Sequence, residues 1–148
     1  MKTFFASVVI TIAFAGFLTA PPGVSAQDHC DEKQASFLHQ ADPKTWDSLY
    51  RLFKQFGQCD DGGIAEGFSE DVAQLFLKHW VHLDALSRIV ASDRSFEKFV
   101  LGHIDATLSE DELKAIEQNS KTLCPARQAR LCESINAAAD RGLNELTK

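Results

Sequence analysis

The sequence predicts an all-α protein, a single compact bundle or array of about six helices held by two disulfides. Apolar residues recur at spacings of three and four rather than two along residues 28–142, which is the periodicity of a helix face. Capping residues, prolines and glycines interrupt this pattern, so short and closely linked helices are expected. The four cysteines supply the disulfide pairs.

Residues 1–26 predict a signal peptide. Lys2 is followed by an apolar run over residues 4–18, then by prolines and small residues that suit a cleavage site. We therefore expect residues 27–148 to form one helical domain that is periplasmic or secreted. Residue 27 is a glutamine and not a cysteine, and no later stretch has the roughly 20 apolar residues that cross a bilayer. No membrane anchor is expected once the signal is removed.

The first helix is predicted over residues 28–40, and the second begins after Asp42 and Pro43. An aspartate followed by a proline is a common helix start, because the carboxylate caps the first N–H groups and proline fits the first turn. An aromatic stripe continues this second helix, and Gly57 is expected to end it. Residues 58–63 form a predicted loop, with adjacent glycines that a helix interior would avoid.

A long third helix is predicted over residues 64–90, because apolar residues share one broad face throughout this range. Gly67 would place a kink or a late start in this helix, with Ser69 as its cap. A fourth helix is expected over residues 93–106.

The fifth predicted helix begins with a capping box, in which the side chains of Ser109 and Glu112 each accept a hydrogen bond from the other residue's backbone N–H. This helix is expected to continue to Pro125. The sixth begins at about residue 128, and Gly142 is well placed to stop it.

The four cysteines of an exported chain predict two disulfides, for which three connectivities are possible. If Cys30 opens one helix and Cys59 follows the end of the next, antiparallel packing brings both to one end of a hairpin. Cys124 and Cys132 would lie about 12 Å apart on a continuous helix, beyond disulfide reach, but Pro125 allows the chain to turn between them. The pairs Cys30–Cys59 and Cys124–Cys132 are therefore favoured.

The charge of the chain constrains its partners. The sequence has 15 Lys and Arg against 21 Asp and Glu, a formal net charge of −6, and loss of the signal peptide removes Lys2 and no acid. Such a surface repels phosphate backbones and anionic lipids. We therefore expect no nucleic acid partner, and a protein partner with a basic surface fits better.

The densest polar cluster lies at residues 59–71, where Asp60, Asp61 and Glu66 are the candidate binding residues. Their carboxylates could converge on a cation or act as acid and base, but the glycines of this segment fit no EF-hand register. The alternative is a disulfide-anchored loop whose acids favour the start of the following helix.

No catalytic signature stands out in the sequence. The run Gly67-Phe68-Ser69 is similar to the nucleophile turn of some hydrolases, but Asp71 replaces the second glycine and no strand precedes it. We expect no catalytic residues and no cofactor.

Histidines offer a weaker alternative, a metal site formed by His79, His82 and His103. The first two are one helical turn apart, and the third lies on the next predicted helix, so their imidazoles could meet a zinc ion. His79 falls within an apolar stripe, which is more typical of a core histidine bonded to the backbone.

Aromatic residues are abundant and could line a pocket for a small apolar ligand. More often such residues fill the core of a helical domain. The residues concerned are Phe37, Trp46, Tyr50, Phe53, Phe56, Phe68, Phe76, Trp80, Phe96 and Phe99.

One stretch of the chain resembles other proteins: residues 60–72, which read DDGGIAEGFSEDV, with His79-Trp80 after them. These residues are similar to an uncharacterised family of small exported bacterial proteins, and the similarity extends through Cys124-Pro125 and Leu131-Cys132. The resemblance implies a small exported helical protein and no particular activity. In general type, the acidic, disulfide-bearing chain also resembles periplasmic immunity proteins of contact-delivered toxins, without a specific shared motif.

These observations favour an exported, non-enzymatic binding protein that occludes a protein partner, as an inhibitor or an immunity-type protein does. The first alternative is a carrier of a small apolar ligand in an aromatic-lined pocket. The second is a small metal-dependent hydrolase that uses the acidic loop or the histidines.

Overall fold

The structure, a computed structural model, describes Cys30 and residues 40–148. This part of the chain contains six complete α-helices and no β-strand, which confirms the all-α prediction; Gln40 and Ala41 are also helical. The predicted signal peptide and most of the predicted helix over residues 28–40 lie outside the described residues. The helices are α1 (Trp46–Phe56), α2 (Gly62–Lys78), α3 (Leu83–Ser92), α4 (Arg94–Gly102), α5 (Glu110–Thr122) and α6 (Ala129–Leu146).

One hydrophobic core is shared by all six helices. Each helix contributes one apolar stripe, and a fully buried Leu or Phe side chain in such a stripe contributes about 1.5–3 kcal/mol. Within residues 40–148, no helix is both long enough and apolar enough to cross a membrane. The largest side chains that are almost completely buried are Trp46, Phe68, Phe76, Phe96, Leu49, Leu75, Leu83, Leu86, Leu113, Ile116 and Ile135.

Helix α1 begins at Trp46, and its cap is Thr45 rather than the predicted Asp42. The Thr45 hydroxyl accepts a hydrogen bond from the Ser48 N–H at 3.1 Å, and the Ser48 hydroxyl accepts one from the Thr45 N–H at 3.1 Å. This reciprocal pair satisfies two backbone donors where an Asp42 cap would satisfy one. The predicted start at Pro43 was therefore wrong, although Gly57 follows the last residue of α1 as expected.

Helix α2 begins inside the segment that was predicted as a loop. A 3₁₀ turn covers Gly57–Cys59, and the Asp61 carboxylate accepts a hydrogen bond at 2.8 Å from the N–H of Gly62, the first residue of α2. Gly62 has φ of 52°, a left-handed conformation that costs glycine nothing and other residues about 1–2 kcal/mol. The adjacent glycines thus start the helix rather than precede it.

The long helix predicted over residues 64–90 is two helices. Helix α2 ends at Lys78, the chain makes a 3₁₀ turn over Trp80–His82, and α3 begins at Leu83. The Trp80 indole N–H donates to the Leu123 carbonyl at the end of α5, at 3.0 Å. The turn brings the indole to this carbonyl while its ring stays buried, whereas Gly67, the expected kink, lies inside an unbroken α2.

Helix α4 is shorter than predicted and α6 is longer. Helix α4 ends at Gly102, and α6 continues past Gly142 to Leu146, so the predicted stop at Gly142 was wrong. Gly142 is buried, and a Cβ atom there would lie 3.0 Å from a methyl of Leu113 and 3.2 Å from the backbone carbon of Asp105. Glycine at this position permits close packing of α6 against α5 and the link before it. The capping box of Ser109 and Glu112 is confirmed at the start of α5.

Both favoured disulfides are confirmed. The Cα atoms are 5.5 Å apart in the Cys30–Cys59 pair and 6.1 Å apart in the Cys124–Cys132 pair. Pro125 and a 3₁₀ turn over Ala126–Gln128 separate α5 from α6, which turns Cys132 back toward Cys124. The first disulfide fixes the chain immediately before α2 begins.

Candidate functional site

Three adjoining depressions surround the start of α2. The first has a volume of about 760 Å³ and lies between α2 and α5. The second, of about 530 Å³, covers the Cys30–Cys59 disulfide and shares Asp60 with the third, of about 410 Å³, which also shares Glu66 with the first. Six carboxylates line them. We call five of these the acidic face: Asp60, Asp61, Glu66, Glu70 and Glu112. The sixth, Asp105, accepts hydrogen bonds from the N–H and hydroxyl of Thr107.

The acidic face carries far more negative than positive charge. Glu66 and Glu70 are exposed and, within residues 40–148, pair with no cationic side chain. The Glu112 carboxylate accepts the Ser109 N–H and hydroxyl at 3.0 and 2.7 Å, which keeps its negative charge in place. Lys98 is the only Lys or Arg among the described residues that line the three depressions. A negative potential therefore covers this side of the molecule.

The local sequence explains why acids collect at this place. The N–H groups at the start of a helix carry a partial positive charge, so carboxylates near them are stabilised by about 0.3–1 kcal/mol. Asp61 caps α2 directly, and Glu112 completes the capping box of α5. Glu66 and Glu70 lie one turn apart on α2 with exposed side chains, where they serve no such capping purpose.

A buried histidine connects this surface to the core. The His103 Nε2 atom lies 3.2 Å from the Asp60 Oδ2 atom, and its Nδ1 atom lies 2.9 Å from the Ser69 Oγ atom. The His103 residue is 5 % exposed, and its ring packs against the rings of Phe99 and Phe68, with centroid distances of 4.4 and 5.8 Å. His103 follows the last residue of α4, and its N–H donates to the Phe99 carbonyl.

The partners of His103 determine which nitrogen carries the proton. An ionised Asp60 carboxylate only accepts hydrogen bonds, so the Nε2 atom of a neutral ring is the donor. The Nδ1 atom is then an acceptor, and the Ser69 hydroxyl donates to it. Ser69 has a second acceptor within reach, since its Oγ atom is 3.2 Å from the Ala65 carbonyl oxygen.

Burial lowers the pKa of His103 from its usual 6.5, because the ring loses hydration that would stabilise its charged form. The charge and the hydrogen bond of Asp60, and the charge of Asp105, oppose this shift without reversing it. His103 is therefore neutral at pH 7, and its pKa depends on a carboxylate of the acidic face.

The hydrogen-bonded residues Asp60, His103 and Ser69 do not have the geometry of the catalytic triad of a serine hydrolase. In serine hydrolases the imidazole meets the serine through Nε2 and the acid through Nδ1, which is the reverse of this order. Ser69 lies in the middle of α2 and is 2 % exposed, so a substrate carbonyl has no approach to its hydroxyl. These contacts instead suit His103 to carry a proton on its ring and to position the Asp60 carboxylate through a hydrogen bond.

The structure brings the three predicted binding residues together. Asp60, Asp61 and Glu66 lie on the acidic face, although Asp60 is engaged by His103 and Asp61 by the Gly62 N–H.

The three histidines of the alternative metal site do not share one set of contacts. His79 and His82 lie with ring centroids 6.4 Å apart, whereas His103 contacts Ser69 and Asp60. Within residues 40–148 and Cys30, no group of three or more potential ligands could hold a metal ion.

The aromatic residues of the described part pack on one another. Phe53 contacts Phe96 and Phe99 with ring centroids 5.3 and 4.8 Å apart, and Trp46 contacts Phe76 edge to face at 4.8 Å. These contacts fill the space between α1, α2 and α4, and of these aromatic residues only Phe99 lines a depression of the acidic face, the third one. Phe37 lies outside the described residues.

Sequence reasoning missed the link between Ser69 and His103. The two residues are 34 positions apart, and the sequence pattern suggested Ser69 only as a helix cap or as part of a nucleophile turn. A usable signal was present, because Ser69 falls on the apolar side of α2, where a hydroxyl needs a buried partner. The sequence could not identify that partner.

Comparison with protein-family models, with curated proteins and with solved structures found no match to this chain.

Proposed function

We propose that this chain is an exported binding protein without a catalytic step of its own, whose acidic face occludes a basic surface of a protein partner. Inhibitors and immunity-type proteins act in this way. The observation that carries the proposal is the pair Glu66 and Glu70, two exposed carboxylates beside a groove that form no ion pair with a cationic side chain among the described residues. Unpaired charges of one sign steer and orient a partner of the opposite sign.

The size of the groove supports a protein ligand. Glu66, Glu70 and Glu112 lie on two helices along a depression of about 760 Å³, which is wide enough for lysine or arginine side chains from a second chain. Arginine binds carboxylates through two parallel hydrogen bonds, so carboxylates on both sides of a groove suit it well.

The rigidity of the face supports binding by occlusion. The Cys30–Cys59 disulfide fixes the residue before Asp60, and His103 holds the Asp60 carboxylate from the core. Asp61 is fixed by its capping bond to α2. A surface that is already ordered loses less conformational entropy when it binds. Disulfides also suit an exported protein, because they persist in oxidising compartments.

The test is partner capture with two variants of equal charge. One variant carries Asp61→Asn, Glu66→Gln and Glu70→Gln on the acidic face. Its control carries Glu133→Gln, Asp140→Asn and Glu145→Gln, all on exposed positions of α6. Each immobilised protein is exposed to a periplasmic or extracellular extract, and bound proteins are identified by mass spectrometry.

We expect the wild type and the α6 variant to retain the same partner, and the acidic-face variant to lose it. Retention should weaken as salt is added, because exposed charges are screened within about 10 Å at 0.1 M. Equal capture by both variants would contradict the proposal, as would a partner whose contact surface is acidic.

A further inference from the structure

His103 gives the acidic face a titratable residue beneath its surface. With a neutral ring, the His103 Nε2–H donates to Asp60, and the carboxylate keeps its full negative charge toward solvent. The side chain of Asp60 is 29 % exposed, so a partner's cation can still approach it. In this state all five carboxylates of the acidic face contribute to the field.

A proton on Nδ1 changes this arrangement without moving the backbone. The Ser69 hydroxyl can rotate to donate to the Ala65 carbonyl, 3.2 Å away, and its oxygen then accepts the new Nδ1–H at 2.9 Å. The imidazolium keeps its bond to Asp60, which becomes an ion pair. Both ring protons are satisfied, and the net charge of the histidine and the carboxylate becomes zero.

We propose that acidification weakens the binding of a basic partner, because protonated His103 neutralises Asp60 through an internal ion pair. This inference rests on the proposed function, since it concerns the regulation of the same face. The switch consists of Asp60 at the surface, His103 beneath it, and the Ser69 hydroxyl as the rotating donor.

Every charged neighbour of His103 in the described chain affects this proton. Asp60, before α2, and Asp105, after α4, favour the protonated ring, and Glu66 on α2 places a further negative charge at the same depression. Lys98 on α4 lines the same depression and opposes protonation. Burial among Phe68 and Phe99 opposes it more strongly, so the pKa of His103 lies below 6.5. The change is therefore expected on the acidic side of neutrality.

The experiment has two arms and uses an oligolysine peptide as the probe. In the first arm, NMR follows the imidazole nitrogens of His103 as the pH falls from about 7.5 to about 5. In the second arm, the affinity for the peptide is measured at both ends of this range for the wild type and three variants. His103→Gln keeps a donor toward Asp60 without a titrating ring, and Asp60→Asn removes the charge. His82→Asn is the control, because His82 is exposed and lies outside the acidic face.

We expect the Nδ1 atom of His103 to gain a proton with a midpoint below 6.5, and Asp60→Asn to lower that midpoint. The wild type and His82→Asn should bind the peptide about three- to tenfold more weakly at the acidic end. His103→Gln should lose most of this difference, and Asp60→Asn should bind weakly at both ends.

Two results would overturn the inference while leaving the proposed function intact. One is an unprotonated His103 throughout the range in which the protein stays folded. The other is the same acid weakening in the wild type and in His103→Gln. Failure of the peptide to bind at neutral pH would instead contradict the proposed function and, with it, this inference. As a control, circular dichroism at each pH checks whether every variant remains folded.

Discussion

His103 and Asp60 lie 43 positions apart in the sequence, and their Nε2 and Oδ2 atoms are 3.2 Å apart in the fold. This contact joins the residue after α4 to the segment before α2, close to the Cys30–Cys59 disulfide. Because the second imidazole nitrogen meets Ser69, the connection continues from the surface into the middle of α2. The structural role of Ser69 can be measured separately from any binding activity.

Replacement of Ser69 by alanine should destabilise the protein by about 1–3 kcal/mol, because the buried Nδ1 atom of His103 loses its hydrogen-bond donor. Urea unfolding at pH 7 measures the loss. The matched control is Ser134→Ala on α6. The Ser134 hydroxyl donates to the carbonyl four residues earlier, an acceptor that also lies within reach of the Ser69 hydroxyl, but Ser134 has no second side-chain partner within the described residues.

The control variant should change stability by about 0.5 kcal/mol or less. A loss of the same size in both variants would show that the bond to His103 contributes nothing.

The raised pKa of Asp71 predicts that the stability of the folded protein falls as the pH rises. Burial, followed by the charges of Asp42 and Glu70, raises its pKa from 3.8 to about 7. The folded protein therefore holds a proton that the unfolded chain releases near pH 4. The resulting stability is fully present below the unfolded pKa and is lost as the pH rises through about 7.

Asp71→Asn should remove this loss and stabilise the protein by about 1–2 kcal/mol above pH 7, after allowance for solvent screening. Denaturant unfolding at about pH 5 and about pH 8 checks the result. Glu133→Gln, an exposed carboxylate on α6, should show no such gain. A variant that is less stable than the wild type at the higher pH would contradict the raised pKa.

The two disulfides should differ in their contribution to stability. Loop-closure entropy gives about 3.5 kcal/mol for Cys30–Cys59 and about 2.5 kcal/mol for Cys124–Cys132, because the first closes the longer loop. Paired Cys→Ser variants, unfolded in urea without reductant, measure both losses. A larger loss for the short loop would show that native-state packing around Cys132 outweighs the entropy term.

Gly142→Ala should destabilise the protein by about 1–2 kcal/mol, because the new methyl group meets backbone as well as side-chain atoms. Gly63→Ala is the control, since nothing lies within 4 Å of a Cβ atom there. Alanine in the first turn of α2 should leave stability unchanged or raise it by up to about 1 kcal/mol. Thermal unfolding of both variants tests the prediction, and a stabilised Gly142→Ala would contradict the close packing of α6.

The fold class and the disulfides were predictable because they depend on local information. The apolar period distinguishes helix from strand, and Pro125 marks the turn that lets Cys132 approach Cys124. The break before Trp80 was not predictable in this way. It depends on a hydrogen bond from the indole to Leu123, 43 residues away, and no glycine or proline marks it.

The candidate site was predictable only in part. The acidic residues around Asp60 stand out in the sequence, and the fold places them on one surface. The pairing of Asp60 with His103 depends on how α4 packs against α2, which no spacing reveals. Gly142 was misinterpreted for a similar reason, because its need for close packing comes from Leu113 on another helix.

Hydrogen exchange of the protein alone and in complex with its captured partner would locate the contact surface. If the acidic face is the working part of the molecule, slowed exchange will concentrate in residues 60–70 and around Glu112, and it will diminish with added salt. Slowed exchange confined to the outer side of α6, with residues 60–70 unchanged, would contradict this function for the acidic face.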